Sequence, residues 1–362
     1  MRVCMVGQYD PAYPRHAVIR RGLRAAGAEV VECNCRGTAA SHAARRRWLL
    51  AAACAHRDAD LIHLPAFGTS YAGVAKAASR RIGVPLVYDA FTSLYETRVQ
   101  DRKTTPPWSP KAVWYWFRDR EVLRTAHHVL TDTAAHQSYL ASTFGISPGK
   151  VSVIPVGADE TAFGTEPWQP RPAGEWTSVL FYGTYLPLHG IATIVHAAAL
   201  LNGQAPIRFT IVGSGQTEQA VRMLAGRLRL PNLTARPPVP YAALPDLIRA
   251  ADICLGIFGT TEKAGRVVPN KVYQALMVGR PVVTRDSPAV REFLVPGEHL
   301  LVCEPGDPES LARTLLTLSR DRAQQAYLAQ QGQRLAWERF TSGPIGAAML
   351  DALQRVCDSK GT

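Results

Sequence analysis

The feature that most constrains this chain is an alternation of short apolar strands and helices that runs twice. The first run predicts strands at Arg2–Gly7, Ala28–Cys33, Asp60–Leu64, Pro85–Asp89, His127–Asp132 and Lys150–Pro155, with helices between them. Gly164 to Glu175 (GTEPWQPRPAGE) then holds three prolines and two glycines without periodicity, which reads as a linker. The second run predicts strands at Ser178–Tyr182, Ile207–Gly213, Leu233–Ala235, Ile253–Ile257 and Pro281–Thr284. Strands that alternate with helices point to parallel, doubly wound sheets. Such sheets bind ligands beyond the carboxyl ends of their strands, so the loop Gln8–Arg15 is expected to line a cleft. The expected fold is therefore α/β, two doubly wound Rossmann-like domains facing each other across a cleft. Residues 1–163 form the first domain, 164–175 the linker and 176–343 the second. Residues 344–362 are expected to pack back on the first.

The chain has 362 residues, 47% of them hydrophobic, enough for two domains with true cores. No run of about 18 apolar residues occurs, so no transmembrane helix is expected. The start, Met1 to Gly7, turns polar at Gln8 and does not read as a signal peptide. The seven cysteines are scattered, without paired zinc spacing. They read as reduced thiols of a cytosolic protein with no structural metal. The formal charge is +12, and residues 1–160 carry 21 Lys and Arg against 13 Asp and Glu. A basic first half suits nucleic acid, an anionic membrane surface or a phosphorylated substrate. No nucleic-acid-binding module is visible and the basic residues are dispersed, so nucleic acid is not an expected partner. Between Gln100 and Arg120, aromatic residues (Trp108, Trp114, Tyr115, Trp116, Phe117) interleave with Arg and Lys. Such interleaving suits a membrane interface or a docking surface. The reading preferred from sequence is a helix buried between layers with its tryptophans as core.

The richest stretch is Phe258 to Asp286, FGTTEKAGRVVPNKVYQALMVGRPVVTRD. Asn270 is expected to cap a short helix and Gly279 to end it. Lys271 and Gln274, three apart, share a helical face. Lys271 and Arg266 at the positive end of the helix dipole suit a phosphate, and the Gln274 amide a sugar hydroxyl. A second loop, Tyr182-Gly183-Thr184-Tyr185-Leu186-Pro187-Leu188-His189-Gly190, follows a strand and opens a helix. Gly183 allows close backbone approach and Thr184 offers a hydroxyl. This is a candidate diphosphate cradle with His189 at its edge. Gly213-Ser214-Gly215 lacks the third glycine of a dinucleotide fingerprint, since position 218 is Glu218. No hydrolase triad order, HExxH or Walker A pattern is present.

Read together, these motifs resemble the GT-B glycosyltransferases of family 4. The residues that carry the resemblance are Val179 to Gly183 with Gly190-Ile191, Thr210 to Gly215, Ile154 to Asp159 with Phe163, and Tyr273 to Val283. The resemblance covers nearly the whole chain. It implies a nucleotide-sugar donor bound mainly by the second domain and an acceptor bound mainly by the first. It also implies retention of anomeric configuration without a metal. The donor is a substrate, and no cofactor is implied. Donor-binding positions are Gly7, Gly183, Thr184, Gly213, Asn270, Lys271, Val272 and Gln274. Catalytic positions are Arg266, Lys271, His189 and Asp89, with Asp89 and Asp101 placed to orient acceptor or sugar hydroxyls. The chain departs from the family where two glutamates with seven residues between them are usual: here stand Arg266 and Gln274. Thr184 and His189 stand where arginine and lysine are common, and Phe91 where histidine is. The expected acceptor is a saccharide, a lipid-linked molecule or a small molecule, as in surface-polysaccharide, glycolipid or natural-product glycosylation. The expected location is cytoplasmic, with the inner face of the membrane left open. The lost glutamates leave open a catalytically weak glycosyltransferase-like binding or accessory protein, and a sugar-nucleotide epimerase of the same fold is a further alternative.

Overall fold

The computed structural model describes residues 1–38, 40–164, 166–169 and 175–359. The chain divides into two compact units, Met1–Gly157 with Thr341–Thr362, and Ala158–Phe340. Half of the expected linker, residues 165 and 170–174, lies outside the described residues. Of its described part, Trp168 donates its backbone N–H to Gln333 Oε1 at 2.7 Å, and Gln333 Nε2 donates to the Glu166 carbonyl at 3.0 Å.

The first unit holds β1 (Arg2–Gly7), β2 (Glu29–Asn34), β3 (Leu61–Leu64), β4 (Leu86–Asp89), β5 (His128–Thr131) and β6 (Val151–Val153). All pair in parallel, in the order β2-β1-β3-β4-β5-β6. β3 and β4 are buried along their whole length, as strands covered on both faces must be. The order in which successive strands are added reverses between β1 and β3, which opens a crevice at their carboxyl ends. The last helix, Ser342–Asp358, lies against Pro14–Ala25. Gly22 and Gly346 make this contact: a Cβ on Gly22 would stand 2.7 Å from the Gly346 Cα. Ile345, Met349 and Leu353 enter the same core as Val3, Met5 and Ile19.

The second unit holds β7 (Thr177–Tyr182), β8 (Ile207–Val212), β9 (Leu233–Arg236), β10 (Ile253–Leu255), β11 (Val282–Arg285) and β12 (Leu301–Cys303). Their order is β12-β11-β10-β7-β8-β9, again all parallel. Here the switch point falls between β7 and β10. The expected single run from Pro308 to Trp337 is two helices, Pro308–Arg320 and Arg322–Arg339, because Asp321 interrupts the first and caps the second through Gln324 N–H.

The expectation of a Trp-rich helix with its tryptophans as core is overturned for Trp108 and Trp114, while Trp116 is half-buried and packs against the first-unit core. Pro110–Thr125 is a helix, but Trp108 is 84% exposed, Phe117 57% and Trp114 54%. Only its opposite face, with Ala112, Asp119, Val122 and Leu123, is buried. Among the described residues, no helix is long and apolar enough to cross a membrane. All seven cysteines are free.

Candidate active site

The second switch point gathers most of the expected site. β7 ends at Tyr182, and Gly183 takes φ +138°, a conformation that favours glycine. The loop passes a short turn at Pro187–His189 and enters the helix Ile191–Leu201 at Gly190, whose φ is +60°. The loop after β10 laces onto it: Phe258 N–H donates to the His189 carbonyl at 3.0 Å and Gly259 N–H to the Leu188 carbonyl at 3.1 Å. A Cβ on Gly190 would meet the Gly259 nitrogen at 2.4 Å, so glycine is obligatory at this crossing. Gly213 serves the same close packing, since its Cβ would lie 2.0 Å from the Gly183 carbonyl oxygen.

The helix Asn270–Met277 delivers Lys271 to this loop. Lys271 Nζ is buried and has no hydrogen-bond partner among the described residues. It sits 3.9 Å from the centre of the Phe181 ring. A Cβ on Gly183 would come within 3.0 Å of it, and within 3.7 Å of His189 Cε1. Burial pushes the Lys271 ammonium well below its ordinary value of 10.5. His189 Nδ1 contacts the Thr184 carbonyl, and the ring meets the edge of Phe181. Gly183, Lys271 and His189 thus converge around one aromatic ring, while Thr184 is exposed beside them. A desolvated ammonium with no acceptor is costly, and an anion there would remove that cost.

Several expected roles change. Asn270 does not cap its helix. Pro269 occupies the N-cap position with extended backbone, no side chain caps the helix, and Asn270 Oδ1 is buried without a partner. Proline's fixed φ suits the flanking position and moves Asn270 one residue into the helix, where its side chain cannot reach back. Gln274 is buried, and its Oε1 accepts from Tyr182 Oη at 3.1 Å. The same hydroxyl lies 3.1 Å from the Lys271 carbonyl, tying the helix to β7. Val272 is fully buried, with its Cγ2 facing Gly256, and acts as core. Arg266 ends the short helix Glu262–Arg266 and pairs with Glu262 on its own helix. Gly279 ends its helix with φ +73° as expected.

Gly7 and Asp89 belong to the first unit, at the ends of β1 and β4. Asp89 is corrected from a hydroxyl-orienting residue to a structural one. It is fully buried, and its two oxygens accept from Arg15 Nε at 2.7 Å and Nη2 at 2.8 Å. Arg15 Nη1 donates to the Ile154 carbonyl at 2.9 Å. Burial alone would lower the Arg15 guanidinium, but the charge and hydrogen bonds of Asp89 hold it above its ordinary value. Asp101, the other expected orienting carboxylate, is buried at the end of the π-helical turn Glu96–Asp101. Nearby His63 is buried with both ring nitrogens unpartnered, and burial lowers it to about 4, so it is neutral at physiological pH.

Besides Gly7, the loop Gln8–Arg15, Asp89 and Asp101, no first-unit residue was expected at a site. The structure has an open cavity of about 330 Å³ at its switch point, lined by Gln8, Tyr9, Asp10, Arg36, His42, Phe67, Ser70 and Tyr71. Tyr71 Oη donates to Gln8 Oε1 at 2.8 Å, and Arg36 pairs with Asp10 at 2.6 Å. Phe67, 48% exposed, holds a left-handed backbone with φ +65°, a strained state for a bulky side chain. The sequence signal for this wall was its position after β3. Among the described residues, no group of three or more His, Cys, Asp or Glu could hold a metal ion.

Residues 177–321 match the family model described as glycosyl transferases group 1, and residues 1–157 match the glycosyl transferase 4-like domain. The MMP alpha-(1->4)-mannosyltransferase of Mycolicibacterium hassiacum is 24% identical over 299 residues, 80% of this chain and 69% of that protein. The D-inositol 3-phosphate glycosyltransferase of Kineococcus radiotolerans is 26% identical over 333 residues, 84% of this chain and 74% of that protein. Among solved structures, Anabaena HepE in complex with UDP and glucose superposes with a TM-score of 0.73 at 17% identity, covering 98% of this chain and 100% of that one. Sucrose-phosphate synthase from Thermosynechococcus elongatus gives 0.75 at 16% identity, covering 99% of each chain.

Proposed function

From the premise that this chain belongs to the group 1 glycosyltransferases of GT-B fold, we propose that it transfers a sugar from a nucleotide-sugar donor to an acceptor hydroxyl. The observation that carries this reading is the buried, unpartnered ammonium of Lys271 beside Gly183. A diphosphate supplies the anion that this site lacks, and the glycine loop leaves room for it. In the reaction the bond from the anomeric carbon to the β-phosphate oxygen breaks, and its electrons stay on the departing nucleoside diphosphate. The acceptor oxygen bonds to the anomeric carbon on the same face, and its proton passes to the leaving phosphate oxygen, so configuration is retained. A fixed cation helps most where charge grows, in the transition state. Lys271 supplies it, the backbone at Gly183 and Thr184 adds donors, and His189 assists. This division of labour supports a reaction that draws its positive charge from the chain and needs no metal. Gln274, held by Tyr182, contacts the ribose. The acceptor is assigned to the first-unit cavity, where Phe67 offers an apolar face and Gln8, Arg36 and His42 offer polar groups. The printed names of the relatives suggest a sugar or a phosphorylated polyol as acceptor.

A thermal-shift screen against UDP, GDP, dTDP and ADP sugars tests the donor site, with stabilisation by one base expected. Slow release of the nucleoside diphosphate should accompany it. No stabilisation by any of the four would overturn the reading. One observation favours a second reading, a donor-binding protein without turnover: neither Arg266, paired with Glu262, nor Gln274 presents a free carboxylate. Stabilisation without nucleotide release, even with acceptors added, would select it.

A further inference from the structure

The helix Pro110–Thr125 carries an exposed face that the reaction does not use. Positions 110, 114, 117, 121 and 124 fall on one side, at steps of three and four. Trp114, Phe117 and the adjacent Val113, which is 50% exposed, form an apolar stripe over its first two turns. Trp108, in the loop just before, extends it. Four large apolar side chains so close together exceed the scattered exposure normal for a soluble surface.

The charges around the stripe choose its occupant. Between residues 96 and 124, four acids are present, and three of them, Glu96, Asp101 and Asp119, are buried. The fourth, Glu121, pairs with Arg118 at 2.9 Å. The cations face outward: Arg98, Lys103, Lys111 and Arg124 are exposed, and Arg102, Arg118 and Arg120 are half-buried. Folding has hidden the negative charge and left the positive. Tryptophan and phenylalanine amid lysine and arginine, on a partly buried amphipathic helix, match a bilayer interface carrying anionic headgroups.

We propose that the helix Pro110–Thr125 with Trp108 docks this protein on an anionic lipid bilayer, the aromatic stripe entering the interface and the surrounding cations facing the headgroups. The surface is separate from the donor and acceptor assignments and stands whether or not they hold.

The test is co-sedimentation of the full chain with vesicles of phosphatidylglycerol and phosphatidylcholine, against vesicles of phosphatidylcholine alone. The wild type should bind the anionic vesicles, and less so as salt rises. Replacing Trp108, Trp114 and Phe117 together by serine should lower binding at least about tenfold, because binding scales with buried apolar area. The melting temperature should hold, since all three are largely exposed. The pair Lys111→Glu and Arg124→Glu provides an independent arm and should weaken binding to anionic vesicles. Acyl chains brominated near the interface should quench tryptophan emission in the wild type and less in Trp114→Phe. The proposal is overturned if the wild type does not sediment with anionic vesicles, or if the triple variant binds as well. It is also overturned if the stripe proves to be a contact between copies, seen as a dimer in sedimentation velocity that the triple variant dissolves, without vesicle binding.

Discussion

Two buried cations stand near the carboxyl ends of two parallel sheets, and they are treated in opposite ways. Arg15, in the first unit, is fully buried and fully paired: Asp89 takes two of its nitrogens and the Ile154 carbonyl a third. Lys271, in the second, is also buried but has the face of Phe181 beside it and no hydrogen-bond acceptor among the described residues. A protein gains nothing in stability by burying an ammonium without an acceptor. The first cation therefore belongs to the fold, while the second fits the anion proposed above as its ligand. Residue choice fits this division. Arginine's planar fork matches the bidentate carboxylate, and lysine's point charge, free to gain or lose its proton, suits an anion that comes and goes.

Asp89→Ala breaks the comparison most severely. It leaves Arg15 buried and unpaired and should cost about 3–5 kcal/mol of stability. Urea unfolding measures this, and a loss below about 1 kcal/mol would show that the pair is not structural. Lys271→Met should do the reverse. Turnover should fall about 100- to 1,000-fold, read as release of the nucleoside diphosphate, while the ligand-free protein melts no lower than wild type. A clear drop in its melting temperature would mean that Lys271 has a partner in the free fold.

A pH series sharpens the same point. Lys271 is lowered by burial in the free protein, and a bound anion would raise it again. Binding then takes up a proton, so donor affinity is highest below the lowered value and declines as pH rises toward the ordinary 10.5. In the same window the unfolded chain holds more protons than the folded one, so the stability of the ligand-free protein rises with pH through this group. Calorimetry in buffers of different ionisation enthalpy should show the uptake in wild type and none in Lys271→Met. The smallest effect belongs to Arg266→Ala. Its partner Glu262 is largely exposed, and turnover should change less than about threefold. A loss of two orders of magnitude would return Arg266 to the catalytic centre.

The parallel sheets, the close-approach glycine at Gly183 and the helix stop at Gly279 were legible in the sequence, whereas the meeting of Lys271 with the Gly183 loop was not. Each legible feature follows from local chemistry: an apolar strand, a glycine where φ is positive, a proline that ends a helix. The misreadings came from interactions that sequence spacing does not reveal. Asn270 looked like a cap, but Pro269 took that position. Asp89 looked like a strand-end carboxylate open to a ligand, but its partner Arg15 lies 74 residues away. Trp114 looked like core together with Trp116, but only Trp116 packs there, because helical periodicity says which residues share a face and not whether anything covers it.

What the sequence determined by itself was the pair of doubly wound sheets and the kind of chemistry their glycine loops admit, since strand patterning and backbone conformation are set by neighbouring residues. Only the tertiary structure decided which buried charge is satisfied, which is left without an acceptor among the described residues, and which aromatic face stays open. Those outcomes depend on contacts between distant segments, and a charge's fate is set by the nearest opposite charge in space, not in the chain.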